Sequence, residues 1–405
     1  VVVDTGSEDG TPELVRSRGG RVVTFPWCDD FSAARNVALD HCRQDWVLVL
    51  DGDEALDPAS GSLLRAATQD ADAWALRLQI RNHLVTGLMT TLDAVPVAGG
   101  ATGDLGGVFS HRADFPGLRF FRRAPWVRYQ GRIHELVDPC FEARGLPIRT
   151  SEAVIHHYGK ALLDREQHKR DYYLELARRD VADHPERKQA HFNLLQQALN
   201  AWDWPTALEA AEAYRRLADT GPSLVLLGGA LALQELGRDP EALTWFAALL
   251  EGDPEHGVGM ARMAVSLAKV GQQDQAVRLF EAVLERAPEY ALPYVNYAEM
   301  EQARGHLEAA RRVLERGLQR MPSEVGLWEA RIRLEATAGT PDLAAQQAWR
   351  ALQAVPRGGG GLWHRLVAAS LARQGALPAA RAVASLGLQA FPEVPELRQL
   401  LERLG

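Results

Sequence analysis

Cysteine is scarce: the 405-residue chain has three, Cys28, Cys42 and Cys140. An odd number without C-x-x-C spacing excludes a disulfide framework and a zinc knuckle, and fits a reducing, cytoplasmic setting. Long apolar runs are missing as well. The longest candidate, Ser223 to Leu236, is interrupted by Gln234 and Glu235, short of the roughly 18 residues a membrane span requires. Nor is there an excess of positive charge. With 53 acidic against 45 basic residues the net charge is −8, so no general field draws the surface to nucleic acid or to an anionic membrane. The chain opens directly on the strand-like Val1-Val2-Val3-Asp4 without an initiator methionine or signal peptide, and an upstream portion is expected to have been lost. What is there, 46% hydrophobic and 24% charged residues, suffices for two or three globular domains with a sizeable core.

From Asp203 onward the sequence repeats. A glycine (Gly237, Gly271, Gly305, Gly339), an alanine (Ala242, Ala276, Ala310, Ala344) and a proline (Pro254, Pro288, Pro322, Pro356) each recur every 34 residues. A further unit, Gly375, Ala380 and Pro392, arrives 36 residues on, which fits an insertion in Gly358 to Gly361, and a degenerate earlier unit has Trp202, Ala207 and Pro222. Glycine admits a left-handed turn between two helices, alanine lets them approach closely, and proline ends the second helix. Leu226, Met260, Tyr294 and Trp328 share the period and are expected as inter-repeat core, because a solenoid must bury such a row. A period held in three residue types defines a helical solenoid. With pieces such as Gly271-Gln-Gln-Asp-Gln-Ala276 and Gly305-His-Leu-Glu-Ala-Ala310 it resembles the tetratricopeptide (TPR) family over about 200 residues. About six repeats are expected over residues 187–405. Such arrays line a concave groove with their first helices, suited to an extended peptide or a second copy of the chain. Val258, Ala261, Val265, Leu292 and Val295 are groove candidates, packing between repeats being the alternative.

The first 160 residues alternate short apolar strands with amphipathic helices. Val1–Val3, Val22–Phe25, Trp46–Leu50 and Trp74–Ile80 read as strands, Pro12–Arg18 and Phe31–Cys42 as helices. Residues 82–118 read as a long loop, a length usual for lids and binding segments, and the charged pattern Leu162 to Asp183 as a helical connector within residues 161–186. The fold class is α/β plus all-α. The segment Asp45-Trp-Val-Leu-Val-Leu-Asp51-Gly-Asp53-Glu54 is a buried strand delivering three carboxylates at its C-terminal end, where open α/β sheets bind ligands. Two aspartates one residue apart offer hard oxygen ligands to Mg²⁺ or Mn²⁺. A solvated acidic turn is the plain alternative.

Asp4-Thr-Gly-Ser-Glu-Asp-Gly-Thr11 follows the first strand, and Trp27-Cys-Asp-Asp-Phe-Ser-Ala-Ala-Arg35-Asn36 opens the helix before the Asp51 strand. These three segments, in this order, resemble the family 2 glycosyltransferases of the GT-A fold, a Rossmann-like nucleotide-diphospho-sugar transferase architecture, over residues 1–160. The resemblance implies that Asp4 accepts a hydrogen bond from the nucleotide base, with Ser7 and Asp9 shaping its turn or merely forming one. It implies Arg35 at the diphosphate, with a helix-surface ion pair as the alternative, Asp51 near ribose or metal, and Asp53 as the principal metal carboxylate. Inverting transfer needs a base. Tyr129-Gln-Gly131-Arg-Ile-His134-Glu135 is similar to a stretch in a branch that modifies lipopolysaccharide cores, which implies Glu135 as the base with His134 orienting it; pairing of Glu135 with Arg132 or Arg128 is the alternative. Val154-Ile-His156-His157-Tyr-Gly-Lys160 resembles the close of this domain. It implies His157 as a third metal ligand, which would favour manganese, although Lys160 stands where tyrosine is usual.

The resemblance thus implies a metal-dependent inverting transferase taking a nucleotide diphosphate sugar, UDP-linked, to a protein or peptide held by the TPR arm. A saccharide or lipopolysaccharide acceptor, with the repeats used for assembly, is one alternative. A scaffold with a degenerate transferase domain is the other. Since the chain starts at what would be the second strand, the domain is expected to lack its first, and roughly 30 residues would restore that strand and helix. Calorimetry is expected to give tighter nucleotide-sugar binding once they are added.

Overall fold

The computed structural model describes residues 1–84, 95–96, 111–158, 166–218, 221–356 and 358–404. The chain divides into two compact units, Val1–Thr220 and Gly221–Gly405.

The first unit begins with β1 (Val2–Asp4), α1 (Thr11–Ser17), β2 (Val22–Thr24) and α2 (Phe31–His41), followed by β3 (Trp46–Leu48), β4 (Glu54–Leu56) and α3 (Ser60–Thr68). Next come β5 (Ala75–Leu84), β6 (Val95–Pro96), β7 (His111–Arg122), α4 (Asp138–Glu142) and β8 (Ile148–His157). Three helices complete it, α5 (Glu166–Asp183), α6 (Lys188–Asn200) and α7 (Trp204–Leu217). β1 and β2 pair in parallel as a small sheet of their own. The larger mixed sheet has the order β3-β7-β5-β8-β4, with β6 beside β7; β5 and β8 are parallel and the other pairs antiparallel.

Side chains alternate across that sheet as the period of two requires. Leu76, Leu78, Phe120 and Ile155 pack under α3 with Leu64, while Val47, Ala75 and Phe121 pack on the other face with Leu39 of α2 and Phe141 of α4. The long loop read at 82–118 is a correction at both ends: β5 runs to Leu84 and β7 starts at His111. Pro116 and Gly117 hid β7, since both weaken a strand reading. A Cβ on Gly117 would lie 2.5 Å from Ile80 Cδ1, so the tip of that side chain would have to turn aside to admit one. Residues 85–94 and 97–110 of the expected loop lie outside the described residues.

The second unit is a run of antiparallel helix pairs: α8 (Ser223–Glu235) with α9 (Asp239–Gly252), α10 (Gly257–Lys269) with α11 (Gln273–Arg286), and α12 (Ala291–Ala303) with α13 (Leu307–Arg320). α14 (Val325–Ala338) pairs with α15 (Pro341–Ala354) and α16 (Leu362–Arg373) with α17 (Leu377–Ala390); α18 (Pro395–Arg403) follows. Met260, Tyr294 and Trp328 are buried as their period demands, while Leu226 is half-buried. Tyr294 Oη donates to Pro288 O (3.0 Å) and Trp328 Nε1 to Pro322 O (2.8 Å), one bond repeated at the 34-residue spacing. Of the groove candidates, Ala261 is fully buried and Val265 and Val295 pack against the helical core. Helix periodicity turns them into the seam between helices.

At the inserted run, Gly359, Gly360 and Gly361 all take positive φ, and a Cβ on Gly359 would stand 2.4 Å from Trp363, which is wholly buried. The extra residues loop out so that Trp363 can enter the core. Gly237, Gly271, Gly305 and Gly375 close their turns at φ of 73, 84, 79 and 79°, while Gly339 does without, at −109°. In each of the four the next residue donates to the carbonyl five residues back, as Arg238 does to Leu233 (2.8 Å).

The α6–α7 turn in the first unit has the same bond, Asp203 N to Ala198 O (2.9 Å), but the left-handed position is filled by Trp202 at φ 60°. A side chain there costs roughly 1–2 kcal/mol, and Trp202, 66% exposed, recovers little by burial. Trp202→Gly is therefore expected to raise stability by about 1 kcal/mol, read from the urea midpoint of the full chain. An unchanged or lower midpoint would contradict this account of the turn.

Candidate active site

α2 starts at Asp30, whose carboxylate accepts from Ala33 N (3.0 Å) and Ser32 Oγ (2.7 Å), satisfying a free amide of the first turn. This fixes Arg35 and Asn36 on the second turn. Asn36 clamps the Tyr129 backbone from both sides, accepting from its N–H at 2.9 Å and donating to its carbonyl at 3.0 Å. The loop bearing Glu135 is thereby tied to α2. Arg35 then reaches two carboxylates: Nη2 donates to Asp51 Oδ1 at 2.6 Å and Nε donates to Glu135 Oε1. The expected alternatives for Glu135 are not used, since Arg132 pairs with Asp183 and Arg128 with Asp40.

Behind Asp51 stands a residue the sequence reading missed. Arg119 of β7 donates Nη2 to Asp51 Oδ2 (3.2 Å) and to Glu54 Oε1 (2.9 Å). Glu54, its side chain 1% exposed, accepts the Asp51 N–H at 2.8 Å through Oε2. Burial pushes the Glu54 carboxyl above its ordinary range against the pull of Arg119. Burial pushes Asp51 the same way, but Arg35 and Arg119 outweigh it and hold that carboxyl below its ordinary value. Two guanidinium groups face three carboxylates, leaving an excess of negative charge. Tyr129, beneath Arg35 with its ring 5.5 Å from the guanidinium carbon, is pushed up to about 12 by burial.

Asp53 and His157 meet because β4 and β8 pair antiparallel with Glu54 opposite His157. His157 Nε2 lies 3.4 Å from Asp53 Oδ2. A second missed residue, Asn82 of β5, orients the ring: its Nδ2 donates to Ala113 O (3.2 Å), so Oδ1 is the atom left to accept from His157 Nδ1 at 2.6 Å. The imidazole then carries its proton on Nδ1, and the Nε2 lone pair faces Asp53. A partner on the far nitrogen is what metal-ligating histidines use.

Among the described residues no group of three or more His, Cys, Asp or Glu side chains is disposed to hold an ion unaided. Asp51, grouped with Asp53 and His157 on sequence grounds, has turned to the two arginines. The Asp53–His157 pair does fit a smaller role, since adjacent ligands of an octahedral ion bound at about 2.1 Å stand about 3 Å apart, and such ions commonly take one or two side chains plus phosphate oxygens.

Asp4, Ser7 and Asp9 make local bonds: Asp4 Oδ1 accepts from Ser7 N (3.2 Å), and Asp9 Oδ1 accepts from Thr11 N (3.1 Å) and Oγ1 (2.6 Å). The hydrogen bond with Ser7 keeps the Asp4 carboxyl below its ordinary value. His134 Nε2 lies 2.7 Å from Gln197 Nε2, and burial lowers its basicity despite Glu135 nearby.

Residues 1–89 match Glycosyl transferase family 2, and residues 267–331 match the Tetratricopeptide repeat family. A TPR repeat-containing protein of Synechococcus elongatus is 32% identical over 169 residues, 39% of this chain and 35% of that one. The lipopolysaccharide core biosynthesis glycosyltransferase LpsC of Rhizobium meliloti is 37% identical over 93 residues, 21% of this chain and 33% of that one. The chain thus spans about a third of the length of the curated relatives it matches. A tetratricopeptide repeat protein of Parabacteroides merdae has a similar solved structure, at 16% identity and TM-score 0.42 over 59% of this chain and 93% of that one. This chain joins a family 2 glycosyltransferase domain to a TPR array. Its first domain carries a mixed sheet, and among the described residues no helix is long and apolar enough to cross a membrane.

Removing Arg119 would leave Glu54 buried and short of its cation. Arg119→Ala is expected to lower stability by about 3–5 kcal/mol, the usual cost of breaking a buried pair from one side. Glu54→Gln in the same chain should recover a large part. Thermal unfolding of both variants checks this, and the same loss in the double variant would exclude the charge-based explanation.

Proposed function

We propose that the protein is an inverting glycosyltransferase that moves a sugar from a nucleotide diphosphate sugar, UDP-linked, to a protein or peptide acceptor held by the TPR arm. One observation supports this reading: Arg35 joins Asp51 to Glu135 beside the Asp53–His157 pair, so the residues read as diphosphate ligand, base and metal donors lie together at the ends of β3 and β8. In the reaction an acceptor oxygen bonds to the sugar C1 as the C1–O bond to the diphosphate breaks, the electron pair leaving with the phosphate. Glu135 takes the acceptor proton. Arg35 competes between Glu135 and the incoming diphosphate, a fork suited to either anion. Its transfer to phosphate frees the carboxylate for the proton. Asp4, with its turn at Ser7 and Asp9, receives the base, and Asp51 the ribose side.

Asp53 and His157 would hold a divalent cation, Mn²⁺ or Mg²⁺, which when bound neutralises the diphosphate. The surplus of carboxylates over guanidinium groups favours a cation there. Residues 1–160 serve as the transferase domain, 161–186 as the connector and 187–405 as the solenoid, in a cytoplasmic protein able to self-associate through the repeats. A saccharide acceptor is the second reading, favoured by the similarity to LpsC over 93 residues.

A thermal-shift screen of nucleotide sugars with Mn²⁺, followed by turnover of the stabilising donor, tests this. Asp53→Ala and Glu135→Gln are each expected to reduce turnover by about 10²-fold or more. Metal-independent turnover would remove the cation from this reading, and no turnover in the parent chain would count for a non-catalytic scaffold. Asn82→Leu is expected to weaken Mn²⁺ binding in the presence of UDP about 10–100-fold by calorimetry; unchanged affinity would remove His157 from the site.

A further inference from the structure

Glu135 ends a short closed loop. Gln130 and Leu136 exchange both backbone hydrogen bonds, at 2.9 and 3.0 Å, and the five residues between them must turn sharply. Gly131 does so at φ 105°, where a Cβ would stand 3.2 Å from Ile133 O. His134 does so at φ 47°, a conformation that a residue with a side chain adopts only when its surroundings impose it.

Those surroundings are helices beyond the sheet. Asp180 of α5 accepts the Arg132 N–H at 3.4 Å, and the Arg132 guanidinium reaches Asp183 at 2.6 and 2.9 Å. Asn193 of α6, 1% exposed, donates Nδ2 to Ile133 O at 3.0 Å, and Gln189 Nε2 donates to its Oδ1 at 3.0 Å, fixing which way the amide points. Gln197, one turn along α6 and 6% exposed, places Nε2 at 2.7 Å from His134 Nε2. An amide N–H only donates, so the imidazole accepts there and carries its proton on Nδ1. Three consecutive residues are thus anchored from α5 and α6, and the fourth is Glu135.

We propose that Asn193 and Gln197 are positioning residues which hold the backbone of residues 132–134 so that the Glu135 carboxylate meets Arg35. Helix α6 is in this way a wall of the transferase site. A displacement of α6 would be delivered to Glu135 through two buried amides. The proposal rests on Glu135 being the base.

The test uses the full chain with Asn193→Ala, Gln197→Ala and Gln197→Glu, the last keeping a hydrogen bond to the ring with the proton moved to Nε2. Arg178→Ala, which cuts a bond from α5 to Asp203 away from the loop, is the control. In ¹⁵N-arginine-labelled protein the Arg35 Nε–H resonance, assigned with Arg35→Lys and calibrated with Glu135→Gln, reports where the carboxylate lies. The ¹⁵N shifts of His134 report its tautomer. Both alanine variants are expected to move the Arg35 resonance toward its position in Glu135→Gln, and Gln197→Glu to leave it near the parent while switching the tautomer. With UDP-glucose and Mn²⁺ as probe, kcat should fall about 10–100-fold at unchanged donor KM in the alanine variants, recover in Gln197→Glu, and hold in Arg178→Ala. Arg35 and His134 resonances unmoved by both alanine substitutions would overturn the positioning proposal whether or not the chain turns over. Resonances that move as expected in a parent chain without turnover would support the positioning and sink the transferase reading alone.

Discussion

The Arg35 guanidinium joins three stretches that are far apart in sequence: the start of α2, the turn after β3 and the loop between Gln130 and Leu136. Without it Asp51 and Glu135 would face one another as like charges in a partly buried setting, where water screens them poorly. With it each carboxylate is held by a guanidinium N–H. The neighbouring Asn36 does the mechanical part, locking the Tyr129 backbone with a reciprocal pair of hydrogen bonds. Arginine and asparagine side by side on one helical turn therefore divide the work: one supplies charge and the other alignment. Arg119 repeats the arrangement behind Asp51, so the acidic turn is supported from both sides.

This division explains what could be read from the sequence. Asp51, Asp53 and Arg35 stand at a strand end and a helix start, where a local pattern of residues fixes the geometry, and they were legible as a group. Arg119 lies between Leu118 and Phe120 in a strand that contains proline and glycine, and reads as an ordinary outward charge. Only the pairing of β7 with β3 brings it to Asp51. Asn82 is hidden for a related reason. The parallel pairing of β5 with β8, which puts Asn82 opposite His157, depends on register across some 75 residues of chain, and no local period encodes it. Asp51 itself was grouped with the metal donors because spacing alone cannot show that two arginines claim both of its oxygens.

The helical array was legible for the opposite reason. Its contacts are between neighbours in sequence, so the period of glycine, alanine and proline is also the period of the packing. Departures have visible causes: Gly359 to Gly361 loop out to let Trp363 into the core, and Gly339 closes its turn without a left-handed residue.

The α6–α7 pair carries Trp202 where four later turns carry a left-handed glycine, and α6 also carries two buried amides, which its neighbours account for. His191 Nε2 bonds to Pro185 O at 2.8 Å, the same bond that Tyr294 and Trp328 make to their prolines, so α6 stands in register with the first helices of the later repeats. The position of Gln197 then corresponds to Ser266, Met300 and Leu334, all buried in their own repeats. In α6 this buried position faces an imidazole and a loop carbonyl lies one turn earlier, and an apolar side chain would leave both without partners. Amides at Asn193 and Gln197 satisfy them. The two amides of α6 thus follow from what the helix packs against, and they bind it to the loop carrying Glu135.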